Sequence, residues 1–222
     1  MENKIKKWID SVEAQGCKVH SISVLNEIRK KNGKLLFALV DTNVTSPEEI
    51  SLPHIIFIRG HACVIVPLIE NTSTGEEKFL MVRQRRIGSG QMSLEFPAGM
   101  LDENSDDPEG VAVRELHEET GLQISSGSLF PLHRQMLFSS VGGSDEGIYY
   151  YGCIVKVDDA TFKSFQKRMA GISDENECIT VELLSRDEAE SQATTMQVPL
   201  GFYLFEKYCH QILRIHTDNN SL

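Results

Sequence analysis

The sequence predicts an α/β fold. Three observations carry the prediction: a series of apolar, strand-like runs through the middle of the chain, a segment at 107–121 whose helix start and stop signals agree, and an amphipathic closing segment at 199–216.

The elements follow in order. Residues 2–15 place Ile5, Trp8, Ile9 and Val12 at helical spacing, and "KLLFALVDTNV" at 34–44 reads as an apolar strand. After "TSPEEISLP", the runs "HIIFI" and "HACVIVPLIE" flank Arg59-Gly60, "NTSTGEE" forms a polar turn, and "KFLMVRQ" returns as a further strand. In "DPEGVAVRELHEETGL", Asp107 is an N-cap, Pro108 takes the first helical position, and Gly121 lies just past the end. Val111, Ala112 and Leu116 supply that helix's buried face. "IYYYGCIVKV" at 148–157 and "ITVELL" at 179–184 read as strands, with Tyr149, Tyr150 and Tyr151 divided between core and surface. "PLGFYLFEKYCHQILRIH" closes the chain as a helix, and residues 217–222 are expected to fray.

Composition narrows the function. Apolar residues at 41% and charged residues at 24% describe a soluble globular chain of 222 residues, long enough to bury a large core. The net charge of -10 repels nucleic acid and anionic membranes, so a phosphate-bearing ligand must be met by local cations or by bound metal. Cys17, Cys63, Cys153, Cys178 and Cys209 are scattered with no C-x-x-C pair, which reads as reduced, buried thiols. "MENKIKKWID" lacks the apolar run of a signal peptide and no stretch approaches the ~20 apolar residues of a membrane span, so a cytoplasmic protein is expected.

The helix at 107–121 carries its own puzzle. Glu115, Glu118 and Glu119 stand at i, i+3 and i+4 and share one face, where like charges repel by a few tenths of a kcal/mol per pair. A solvated acidic face is the plain explanation. Against it stand the firm helix boundaries, Arg114 one turn from Glu118, and the glycine-containing loop "FPAGMLDENSD" that feeds the helix. Oxygen ligands gathered in this way suit a hard cation such as Mg²⁺, which would relieve the repulsion and attract a phosphate. His117 lies about 100° around the helix and faces away.

These residues carry a resemblance. "AGMLDENSDDPEGVAVRELHEETGL" resembles the Nudix box: Gly, five residues, Glu, seven residues, then Arg-Glu-aliphatic-x-Glu-Glu-x-Gly-aliphatic. Gly99, Arg114, Glu115, Leu116, Glu118, Glu119, Gly121 and Leu122 match, while fourteen residues instead of thirteen separate Gly99 from Arg114 and the loop acid falls on Asp106. The resemblance implies an α/β/α sandwich around a mixed sheet and hydrolysis of a nucleoside diphosphate linked to another moiety. It makes Glu115, Glu118, Glu119 and the carbonyl of Ala98 the ligands of Mg²⁺, with Mn²⁺ able to substitute, and Arg114 the residue that orients the glutamates.

"SLEFPAGMLD" and "SSVGGSDEGIYYY" resemble the ADP-sugar branch of that superfamily, ADP-ribose and plant-type ADP-glucose pyrophosphatases, although Val141 stands where the branch often has proline. By that resemblance Glu146 is the general base or a closing metal contact, with Asp145 as its alternate and a box glutamate such as Glu115 as the other candidate base. Arg86 holds the substrate's phosphates or terminal sugar, with Arg83 and Arg85 as rivals. Glu95 and Gly99 border the substrate. The same resemblance makes residues 1–55 an extension that joins two subunits, residues 56–216 the hydrolase domain, and the partners a nucleotide-sugar substrate and a second copy of the chain; the extension could instead fold back on its own catalytic domain. Two other functions stay open: a nucleotide-binding module without hydrolysis, and an enzyme for dinucleoside polyphosphates, coenzyme A or oxidised nucleotides.

Overall fold

The structure, a computed structural model, describes residues 2–101, 107–166, 168–170 and 178–219. Its elements run α1 (Asn3–Ala14), β1 (Lys18–Arg29), β2 (Leu35–Thr45), β3 (Ile55–Ile58), β4 (Ala62–Asn71), β5 (Glu77–Arg85), β6 (Met92–Glu95), β7 (Ala98–Met100) and α2 (Pro108–Thr120). Then follow β8 (Phe130–Pro131), β9 (Leu137–Phe138), β10 (Gly147–Val157), α3 (Asp159–Ser164), β11 (Arg168–Ala170), β12 (Ile179–Leu184), α4 (Arg186–Glu190) and α5 (Gln197–Asn219). The α/β class is the one expected. The chain divides into two compact units.

The first unit comprises residues 1–62, 100–107 and 136–148. Its sheet runs β1-β2-β3 with antiparallel neighbours. Gly33, at φ 81°, closes the β1–β2 turn in a backbone region that suits glycine. The apolar face of α1 packs here as its spacing predicts: Ile5 is buried with Leu35, Ala38, Val40 and Ile58, and Trp8, Ile9, Ile22 and Ile56 pack against them. Each fully buried aliphatic side chain contributes about 1.5–3 kcal/mol relative to exposure. The sequence reading passed over β1, because its pairing with β2 shifts register between Val19 and Ser21 and again between Val24 and Asn26. Each shift breaks the period of two on which strand recognition rests.

The second unit comprises residues 63–99, 108–135 and 149–222. The strand order is β11-β12-β5-β4-β10-β8, with β6 on β5 and β7 on β4. Ile65, Val66, Leu80, Met81, Val82, Leu94, Ile179 and Val181 are fully enclosed. Helix α5 brings Phe202 against Phe79 and Phe96, with ring centroids 4.8 and 5.0 Å away and rings steeply inclined, the edge-to-face arrangement that aromatic quadrupoles favour. In β10, Tyr150 and Tyr151 are buried and Tyr149 is half-buried. The cysteines are all free, but only Cys63 and Cys153 are buried, and Cys178 is exposed where a buried thiol was expected. Helix α5 continues to Asn219, beyond the expected end at residue 216. Residues 220–222 of the expected tail lie outside the described residues, as does Asp106.

Candidate active site

Helix α2 forms where its boundary residues direct. Pro108 opens it, and Gly121, at φ 73°, ends it with its N–H donating to the His117 carbonyl at 2.7 Å. Val111, Ala112 and Leu116 are buried to 0 or 1% exposure, which fixes the rotation of the helix and presents the glutamates along one side. His117 is exposed, as its angular position requires.

The three carboxylates have different surroundings. Glu119 is 4% exposed, and its Oε2 accepts from the Ala98 N–H at 3.0 Å, which ties the helix to the glycine loop. Glu115 lies over Gly99, so closely that a Cβ on residue 99 would overlap its Cγ and Cδ. The box glycine is therefore a steric requirement of the glutamate above it. Arg114 borders both remaining acids, with Nη2 3.5 Å from Glu115 Oε1 and Nε 4.0 Å from Glu118 Oε1. Beneath the loop, Cys63 donates to the Gly99 carbonyl at 3.6 Å, and burial, reinforced by Glu115 and Glu119, pushes its thiol up to about 12. That thiol stays protonated and chemically quiet.

As a donor set these groups fit a hard divalent cation: carboxylate oxygens on one helix face beside backbone carbonyls of a tight loop. Among the described residues no three His, Cys, Asp or Glu side chains stand close enough to hold an ion as they are. The Glu119–Ala98 hydrogen bond and the Arg114 contacts would have to yield as an ion enters.

The expected phosphate and substrate residues are distributed otherwise than a row of cations. Arg86 Nε and Nη2 form a two-pronged pair with Glu95, at 3.0 and 2.7 Å, and Glu95 is 9% exposed. Arg83 is occupied by Glu182 at 2.6 Å and Gln192 at 2.7 Å, and Arg85 by the Gly90 carbonyl at 2.9 Å. Of the three arginines, Arg86 is the one joined to a carboxylate at the edge of the box loop.

Glu146 and Asp145 belong to the first unit, where they take opposite parts. Asp145 is buried and caps a turn: Oδ1 accepts from the backbone N–H of Arg59 at 2.7 Å and of Gly60 at 3.0 Å. This structural duty makes it a poor alternate for Glu146. The Glu146 carboxylate is held on both oxygens. Ser139 Oγ donates to Oε2 at 2.6 Å, and Arg59 Nε stands 2.8 Å from Oε1. Nearby, the Gly147 N–H donates to His61 Nδ1 at 3.2 Å, and burial lowers the pKa of that imidazole. Residues of α1, β2 and the 138–145 loop also enclose an apolar cavity of about 470 Å³ lined by Trp8, Val44, Ile56, His61 and Phe138. Sequence reasoning missed Arg59, Ser139 and His61. Arg59 registered only as an interruption between two strand runs.

Comparison with known proteins identifies the family and the fold. A NUDIX domain model matches residues 60–202. Nudix hydrolase 14, chloroplastic, of Arabidopsis thaliana is 32% identical over 162 residues, covering 70% of this chain and 52% of that protein. The ADP-ribose pyrophosphatase of Haemophilus influenzae is 30% identical over 159 residues, 64% of this chain and 68% of that protein, and that of Escherichia coli K12 is 34% identical over 139 residues, 60% and 59%. The alignments thus span about half to two thirds of these relatives' lengths. A solved structure of an ADP compounds hydrolase superposes with a TM-score of 0.58 at 13% identity, covering 88% of this chain and 95% of that one, and shares the fold. The chain belongs to the Nudix family.

Proposed function

We propose that this protein hydrolyses the diphosphate bond of an ADP-sugar, such as ADP-ribose or ADP-glucose, to AMP and a sugar phosphate, with Mg²⁺ as the metal and Mn²⁺ able to replace it. The observation that carries the reading is the fit of Glu115 over Gly99 with Glu118 and Glu119 on the same helix face. Glu115, Glu118, Glu119 and the Ala98 carbonyl hold the ion, and Arg114 steers the first two carboxylates. A divalent ion held there would neutralise the diphosphate and lower the pKa of an attacking water. Glu146 would serve as the general base that takes the proton of the attacking water. Arg86, steadied by Glu95, meets the substrate's anionic portion, and the relatives named ADP-ribose pyrophosphatase favour an adenine nucleotide.

The protein acts as a homodimer joined through residues 1–55, and works in the cytoplasm. In support of a dimer, Val24, Leu25, Ile28 and Ile55 of the N-terminal sheet are 48–56% exposed, an unusual apolar content for strands left in water. No helix among the described residues is long and apolar enough to cross a membrane. Incubation with Mg²⁺ and a panel of nucleotide sugars, dinucleoside polyphosphates and coenzyme A, with products identified by mass, tests the reading. AMP from an ADP-sugar is the expected result; binding without turnover, or preference for another class, would overturn it. Light scattering of the full chain tests the dimer, which a monomer across a wide concentration range would refute.

A further inference from the structure

We propose that Arg59, together with Ser139, is a positioning residue that fixes the Glu146 carboxylate in its working orientation. The inference rests on the reading of Glu146 as general base. The segment carrying Glu146 is glycine-rich, yet it is strapped along residues 57–60. The Phe57 N–H donates to the Gly143 carbonyl at 2.9 Å, the Asp145 N–H to the Phe57 carbonyl at 3.4 Å, and the Asp145 carboxylate takes both amides of the Arg59-Gly60 turn. The Ser139 N–H also donates to the Glu146 carbonyl at 3.1 Å, which closes the loop on itself. The backbone of residue 146 is thus set by contacts to a stretch more than eighty residues earlier in the chain.

The side chain is set independently. Ser139 fixes one oxygen, and the guanidinium of Arg59 lies against the other while resting 5.7 Å from the centroid of the Phe37 ring. The Arg59 Nε is buried and makes no hydrogen bond, so its 2.8 Å approach to Glu146 is a charge contact. A carboxylate offers about four acceptor sites, so these two contacts orient it and leave others for a proton from water. Side-chain exposures of 14% for Glu146 and 39% for Arg59 describe a screened base behind a half-exposed cation. A general base works only within hydrogen-bond reach of its proton, and holding it there is the purpose such a clamp serves.

The test uses the full-length protein and the nucleotide sugar it cleaves fastest, comparing Arg59→Ala, Arg59→Lys, Glu146→Gln and the double variant Arg59→Ala/Glu146→Gln, with thermal melting to confirm folding. Misplacing the base should lower kcat on the order of tenfold to a hundredfold in Arg59→Ala with KM nearly constant. Arg59→Lys should recover part of the loss, and Arg59→Ala should add nothing in the Glu146→Gln background. An unchanged kcat in Arg59→Ala, a change confined to KM, or an equal loss from Arg59→Ala with and without Glu146→Gln would overturn the proposal. Full turnover in Glu146→Gln would instead sink the assignment of Glu146 itself, whatever Arg59 does.

Discussion

Two acidic regions of this molecule obey different physics. On α2, three carboxylates stand within five residues, and Arg114 borders Glu115 and Glu118 at 3.5 and 4.0 Å. In the 136–148 segment Asp145 is taken up by the backbone amides of Arg59 and Gly60, and its neighbour Glu146 has a cation on one oxygen and a hydroxyl on the other. Acids crowded on one helix face suit a divalent cation, whereas one acid held on both oxygens suits proton transfer. On the proposed reading, charge environment, more than residue type, divides the glutamates between metal binding and proton transfer.

The largest effect that could break this division is at Glu119. Glu119→Gln keeps an acceptor for the Ala98 N–H and opens no cavity, so the protein should fold normally while activity falls by orders of magnitude through loss of a charged ligand. Glu118→Gln should behave alike; near wild-type turnover in both would remove the metal role from α2. Gly99→Ala comes next. Its methyl would displace Glu115, so turnover should drop about tenfold or more and the Mg²⁺ concentration for half-maximal rate should rise, while melting changes little. A normal Mg²⁺ dependence would show that Glu115 needs no such seat.

The same contrast explains what could be read from sequence. The α2 region is local: cap, proline, glutamates, arginine and closing glycine fall within fifteen consecutive residues, and the buried face follows from the helical period. Strand runs such as 179–184 were equally plain because their apolar positions are continuous or alternate. Around Glu146 the information is non-local. Glycines and acids mark a polar loop, but nothing in "FIRGHA" announces that Arg59 meets a carboxylate more than eighty positions later. Arg86 and Glu95 were legible as separate candidates and not as a pair, because the turn that joins them is not encoded in either residue. Strand β1 was hidden for a different reason, its register shifts against β2.

Smaller effects sharpen the picture of the Glu146 region. Burial lowers the pKa of His61 below its ordinary value of about 6.5, so the folded state disfavours the proton that the unfolded chain accepts. The sign follows: this contribution is present above pH 6.5 and is lost as pH falls through the depressed folded value. Melting temperature should decline below about pH 6.5 more steeply in wild type than in His61→Gln; parallel curves would contradict it. The smallest change expected lies far from either acid cluster. Ser185→Ala removes the hydroxyl half of the α4 capping box, which should cost about 1 kcal/mol, or about 2–4 °C in Tm, with kcat/KM unchanged.

The most direct test of the central claim is hydrolysis of ADP-ribose by the wild-type protein with Mg²⁺ in ¹⁸O-labelled water, with both products weighed by mass spectrometry. Attack at phosphorus predicts AMP and ribose phosphate, with label in only one of the two phosphates. ADP with free ribose would mean that the phosphate ester to the terminal ribose, and not the diphosphate bond, was broken, and would contradict the account.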